Sequence, residues 1–116
     1  MIAALPIKEN NSDAVISPRY ARTPFYVIIN TQERSAKIIE NPYHDESTGA
    51  GKHILSFLTE KYNVDTLIAF ELGLHVHQLA MKKQLQLIII HEKNKTLKDI
   101  LYRMNITISR TEFSSK

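Results

Sequence analysis

The sequence predicts an α/β domain: a five-stranded mixed sheet with about three helices on its faces. Three observations lead there. Short apolar segments rich in β-branched and aromatic residues recur at residues 2–7, 24–30, 35–41, 64–73 and 85–90. From residue 51 onward, strand-like and helix-like segments alternate, which implies parallel strands joined by right-handed crossovers. Before that point two strands are separated by a few polar residues, which implies an antiparallel hairpin.

The stretch 64–73 anchors this reading. Val64, Leu67, Ile68, Ala69, Phe70 and Leu72 are apolar without period-two alternation, as in a central strand covered on both faces. Gly73 ends it on the carboxyl side, where open α/β sheets place their ligands.

The other elements follow in order. Residues 2–7 form a first strand, with Pro6 at its end or at a bulge because proline cannot donate to a ladder. Residues 8–23 are polar and read as a loop, with a small extended or helical piece at 14–17. A loop of that length in a small domain usually has a task. Residues 24–30 and 35–41 form the hairpin strands, although the turn between them lacks glycine. Asn41-Pro42 ends the second strand. Residues 42–50 form a second loop carrying His44, Asp45, Glu46, Ser47, Thr48 and Gly49.

Ile54, Leu55, Phe57, Leu58 and Tyr62 make one helical stripe over residues 51–63, with Asn63 as the C-cap. Val76, Leu79 and Ala80 mark a second helix at 74–84, and residues 85–90 form the fifth strand. Leu97, Ile100, Leu101 and Met104 mark a third helix opened by Lys95 or Thr96, with Asp99 near its positive end as the helix dipole prefers. One domain is expected over residues 1–105. A polar tail follows at 106–116, in which Ile106 and Ile108 add a little packing.

Composition narrows the function classes. The 116 residues suffice for one core, and 43% hydrophobic with 23% charged residues is ordinary for a globular protein. No apolar run approaches the ~20 residues of a membrane span, and residues 1–6 are too short for a signal-peptide core. A cytoplasmic protein with no membrane association is expected. Cysteine is absent, which excludes disulfides, thiolate metal ligands and thiol nucleophiles. The net charge of +3 is uneven: from Lys82 onward there are eight Lys/Arg and three Asp/Glu. That basic excess suits an anionic partner or simply a solvated face. Nucleic acid is not expected, since aromatics are sparse in the basic stretch, where Tyr102 and Phe113 are the only Phe, Tyr or Trp residues.

Several pieces together resemble a known family. They are Ile2-Ala3-Ala4-Leu5-Pro6-Ile7, Ile16-Ser17-Pro18-Arg19-Tyr20-Ala21-Arg22, Phe25-Tyr26-Val27-Ile28-Ile29, Gly49-Ala50-Gly51, Val64-Asp65-Thr66-Leu67-Ile68-Ala69 and Glu71-Leu72-Gly73. Their order and spacing resemble the dinitrogenase iron–molybdenum cofactor biosynthesis domain, of the NifX type and the C-terminal part of NifB. The resemblance spans about residues 2–104. It implies a three-layer α/β/α, ribonuclease H-like fold with sheet order 3-2-1-4-5 and strand 2 antiparallel. It also implies a non-catalytic protein that binds or carries an iron–sulfur or iron–molybdenum cofactor precursor. One departure stands out: where the family reads histidine–phenylalanine–glycine, this chain reads Arg19-Tyr20-Ala21. An arginine there can hold an anionic group through its guanidinium fork.

A rim follows from these segments, with Arg19, Tyr20, Arg22, Gly49, Gly51, Glu71, Gly73 and His75 as the candidate ligand-binding residues. Residues 48–53 do not make a phosphate loop: Glu46 stands at the first glycine position and His53 where Ser or Thr would bind magnesium. Amides at a helix start preceded by glycines remain a general anion site, or simply a flexible helix entry. His44, His53 and His75 are weak metal-ligand candidates that could converge with Glu71, or be surface histidines. A two-metal nuclease needs a carboxylate on the first strand, and residues 2–7 contain none. The alternative to a ligand carrier is a protein-interaction or regulatory module on the same scaffold, binding a protein partner or forming a homodimer without a cofactor.

Overall fold

The computed structural model describes residues 1–46, 48–92 and 95–106. Its elements run β1 (Ile2–Ile7), β2 (Phe25–Asn30), β3 (Ser35–Glu40), α1 (Ala50–Tyr62), β4 (Thr66–Ala69), α2 (Leu74–Lys82), β5 (Gln86–Ile89) and α3 (Leu97–Arg103). The sheet order is β3-β2-β1-β4-β5. β2 runs antiparallel to β1 and β3, while β4 runs parallel to β1 and β5. The ribonuclease H-like α/β architecture and its strand order are therefore present as expected.

The period of two along each strand sorts side chains into two cores. Ala3, Leu5, Ile7, Val27, Ile29, Ile38 and Ile68 face one side and meet Leu97, Ile100 and Leu101 of α3. Ala4, Tyr26, Ile28, Ile39, Leu67 and Ala69 face the other and meet Ile54, Leu55 and Leu58 of α1 with Val76 and Ala80 of α2. One helix covers one face and two cover the other, giving three layers.

The structure corrects the sequence reading in places. The stretch 64–73 supplies only four strand residues, Thr66–Ala69, and they form β4. The middle of the sheet is β1, flanked by β2 and β4. β4 still reads as continuously apolar because β1 and β5 flank it and both its faces are covered. The 14–17 piece is extended: Ile16 bridges Ile7, and Val15 bridges Thr96. The glycine-free hairpin turn closes because Arg34 takes the left-handed conformation (φ 54°) and the Asn30 side chain accepts the Glu33 N–H. Asn63 caps α1 as expected, at φ 58° with its N–H on the Leu58 carbonyl. Ile106 is buried against the α3 side of the sheet. Ile108 and the rest of the tail expectation, residues 107–116, lie outside the described residues, as does Ser47.

Candidate functional site

The loop that follows β1 is fastened to the sheet by polar contacts. The Ser17 N–H donates to the Pro6 carbonyl at 2.9 Å. The buried Tyr20 hydroxyl donates to the Ala4 carbonyl at 2.7 Å, and the Thr23 hydroxyl to the Ile7 carbonyl at 2.7 Å. The Tyr26 hydroxyl donates in turn to the Tyr20 carbonyl. The buried Asn41 amide donates to the carbonyls of Ala21 and Thr23. Burial pushes the Tyr20 and Tyr26 hydroxyls well above their ordinary pKa, and at Tyr26 the neighbouring Tyr20 adds to the effect. Both are therefore neutral hydrogen-bond donors and structural pins rather than bases.

Arg19 sits on this fastened loop with an exposed side chain, its own N–H bonded to the Ser17 hydroxyl. Arg19 and the connection between β4 and α2 line the same opening. A cleft of about 520 Å³ opens there, lined by Pro18, Arg19, Tyr20, Ala21, Arg22, Glu71, Leu72, Gly73 and Val76. It lies at the carboxyl end of β1 and β4. The chain leaves those strands toward opposite edges of the sheet there, as at the switch point where open sheets bind ligands. Arg19, Tyr20, Arg22, Glu71 and Gly73 thus come together.

Gly49, Gly51 and His75 are outside this lining. Gly51 sits where α1 meets α2: a Cβ there would stand 2.9 Å from Val76 and 3.9 Å from His75. It borders the cleft through Val76. Gly49 takes φ 76° at the start of α1, beside the His53 ring. Gly73 has an ordinary φ of −59° and open space around its Cα, so no backbone strain requires glycine there.

Two of the candidate histidines, His44 and His53, are engaged elsewhere. His53 Nδ1 lies 2.7 Å from a Glu46 carboxylate oxygen, and Arg22 donates to the Glu46 backbone carbonyl. His44 Nδ1 lies 3.1 Å from the Asn41 carbonyl, with Nε2 near Asp45. Together these contacts lace the 41–53 loop to the Arg22 end of the cleft. Among the described residues, no group of three or more His, Asp or Glu side chains is placed to hold a metal ion, so the convergence of His44, His53 and His75 with Glu71 does not occur.

Two recesses escaped the sequence reading. One, of about 460 Å³, adjoins the cleft across Pro18 and Glu71 and is also lined by Lys8, Val15, Ile16, Phe70, Ile90 and His91. The other lies at the opposite end of the sheet around Lys37, Lys61 and Tyr62. Both depend on which strands are neighbours, and only the pairing register carries that signal.

A family model described as dinitrogenase iron-molybdenum cofactor matches residues 1–105. No curated protein matches the chain. Among solved structures, the apo form of the orange protein from Desulfovibrio gigas superposes with a TM-score of 0.76 at 17% identity, covering 93% of this chain and 92% of that one. An NMR structure of a NifB-like protein from Thermotoga superposes with a TM-score of 0.69 at 18% identity, covering 90% and 86%. At these identities the structural matches speak for the fold. No helix among the described residues is long and apolar enough to cross a membrane.

Proposed function

Because the chain belongs to the dinitrogenase iron–molybdenum cofactor family, we propose that it is a non-catalytic carrier that holds an iron–sulfur cofactor precursor, or another small anionic ligand, in the Arg19 cleft. The observation that carries this reading is Arg19 itself. A guanidinium stands on a loop fastened by buried hydroxyls, facing a cleft at the sheet's switch point, where the family resemblance expects a histidine. A planar guanidinium loses less conformational entropy per hydrogen bond than a lysine would, and its fork suits a multi-oxygen or multi-sulfur anion.

Direct ligation of iron by this chain does not fit. The sequence has no cysteine, and no three-ligand cluster forms among the described residues. The donors present suit a cargo that keeps its own ligands and is held by charge and hydrogen bonds. Glu71 on the far wall sets a boundary, since a fully anionic cargo must sit nearer Arg19 and Arg22 than Glu71. Nothing in the cleft has the paired groups of a general acid and base. The protein is a cytoplasmic carrier in this reading, and the domain matched over residues 1–105 packs Ile106 into its core as well.

Anaerobic titration with a synthetic four-iron four-sulfur thiolate cluster tests the proposal. The expected result is saturable binding that weakens about tenfold or more in Arg19→Ala. No spectral change on mixing, or equal affinity in the variant, would remove Arg19 from the account.

A second reading, a protein-interaction module or homodimer, is favoured by exposed apolar side chains on α2 and β5. Leu74 and Met81, two helical turns apart on α2, are 74% and 46% exposed, and Ile88 and Ile89 are also exposed on the edge strand β5. Sedimentation of the purified chain as a dimer, abolished by Leu74→Asp, would support it; a monomer at every concentration would count against the homodimer.

A further inference from the structure

Lys8, Glu71 and His91 lie one or two residues beyond the carboxyl ends of β1, β4 and β5, three neighbouring parallel strands, and make a row along that end of the sheet. A cation, an anion and an imidazole are thereby gathered at one end of the sheet. All three line the recess of about 460 Å³ on the far side of Pro18 from the Arg19 cleft. Its other walls are Val15, Ile16, Pro18, Phe70 and Ile90, all apolar. A half-open recess of this size, lined by apolar side chains together with a few charged groups, has features of a small-molecule site.

The charges in the row are unspent. Among the described residues, the side chains of Lys8, Glu71 and His91 make no ion pair or hydrogen bond. Charges elsewhere on the α3 side of the sheet behave differently. Lys98 pairs with Asp13 at 3.1 Å, and Arg103 and Lys95 both pair with Glu92. Lys8 and Glu71 line one recess with opposite charge and still stay apart, which leaves room for a ligand carrying both complementary charges.

We propose that this recess binds a small zwitterion with an apolar body, of the class of an aromatic or branched α-amino acid. The ligand's ammonium meets the Glu71 carboxylate, its carboxylate meets Lys8 with His91 beside it, and its side chain lies against Phe70, Ile90 and Ile16. A plain carboxylic acid would leave Glu71 facing a like charge. A plain amine would leave Lys8 in the same position. Only a zwitterion satisfies the row. This site shares Pro18 and Glu71 with the Arg19 cleft but does not depend on the carrier reading.

Calorimetric titration of the full chain with L-phenylalanine tests it, alongside 3-phenylpropionate, phenethylamine and glycine. Phenylalanine is expected to bind at least about tenfold more tightly than either single-charge analogue, and glycine not detectably. Lys8→Ala should weaken phenylalanine about tenfold while phenethylamine, relieved of a like charge, binds no less tightly, and Glu71→Gln should weaken phenylalanine while 3-phenylpropionate binds no less tightly. Both residues are exposed, so the variants should fold. Lys98→Ala, which removes a cation already paired with Asp13, should leave phenylalanine binding as it was. Binding of 3-phenylpropionate as tightly as phenylalanine would overturn the zwitterion assignment. No binding of phenylalanine, or binding indifferent to Lys8→Ala, would overturn the site.

Discussion

The hydroxyl of Tyr20 donates to the backbone carbonyl of Ala4 across 2.7 Å, from a position almost wholly buried beneath the loop that presents Arg19. A residue of the site loop is thereby fixed to the central strand. Tyr20→Phe keeps the ring's packing and removes that bond, so folding stability should fall by about 1 kcal/mol. Urea denaturation measures it. Cluster affinity should weaken as well, because Arg19 loses its fixed base. A variant with unchanged stability and unchanged affinity would mean the pin does neither job.

At Gly51 the α1–α2 approach leaves no room for a methyl group, since its Cβ would stand 2.9 Å from a branched Val76 carbon. Gly51→Ala should destabilise by ~1–3 kcal/mol through overpacking. Adding Val76→Ala should cost less than the sum of the two single changes, because the second opens the space that the first needs. Gly73→Ala, with nothing within 4 Å, should be close to neutral. Thermal unfolding of the four proteins gives the comparison.

The start of α3 carries a pH dependence. The Asp99 carboxylate accepts the Thr96 N–H at 3.1 Å, and the Thr96 hydroxyl accepts the Asp99 N–H. The Thr96 backbone bond, then the Thr96 side chain, holds the Asp99 carboxyl below its ordinary pKa. The hydrogen bond from Arg103, then its charge, does the same for Glu92. With folded values depressed, the folded state binds fewer protons than the unfolded one. The stabilisation is complete above the unfolded carboxylate range and is lost as pH falls through the folded values. Asp99→Asn should therefore be less stable than wild type at neutral pH and approach it in acid. Parallel stability curves across that range would contradict the assignment.

Ile106 returns to the core after α3: its N–H bonds to the Leu101 carbonyl at 2.9 Å and its side chain is 7% exposed. Ile106→Ala should cost ~2–4 kcal/mol, by lost transfer energy and an incompletely closed cavity. A chain ended after Ile106 should keep stability that one ended after Asn105 loses, which denaturation of the two truncations would show.

Much of the fold was legible because hydrophobic period and β-branching are local signals. The five strands, the three helices and the hairpin all follow from spacing. The position of the 64–73 stretch within the sheet was less legible. A strand next to the centre and one at the centre are both covered on both faces, so periodicity cannot tell β4 from β1. The Arg19–Glu71 side of the rim followed from where strands end. The Tyr20 and Tyr26 pins did not, because a core tyrosine and a core phenylalanine give the same pattern until the hydroxyl's partner is known. His44 and His53 looked available as ligands, yet each finds a partner within its own loop region, Asn41 and Glu46. The Lys8–Glu71–His91 row joins residues far apart in sequence that only the order of the parallel strands gathers at one end of the sheet.

The central claim is that cargo sits at the carboxyl end of β1 and β4, against the Arg19 loop. Its most direct test is an amide correlation spectrum of the labelled chain titrated anaerobically with a paramagnetic iron–sulfur cluster. The account predicts broadening of the Arg19, Tyr20, Arg22, Leu72 and Gly73 amides, while those of Lys37 and Tyr62 at the far end of the sheet stay sharp. Broadening centred on Lys37 and Tyr62, or none at saturating cluster, would contradict it.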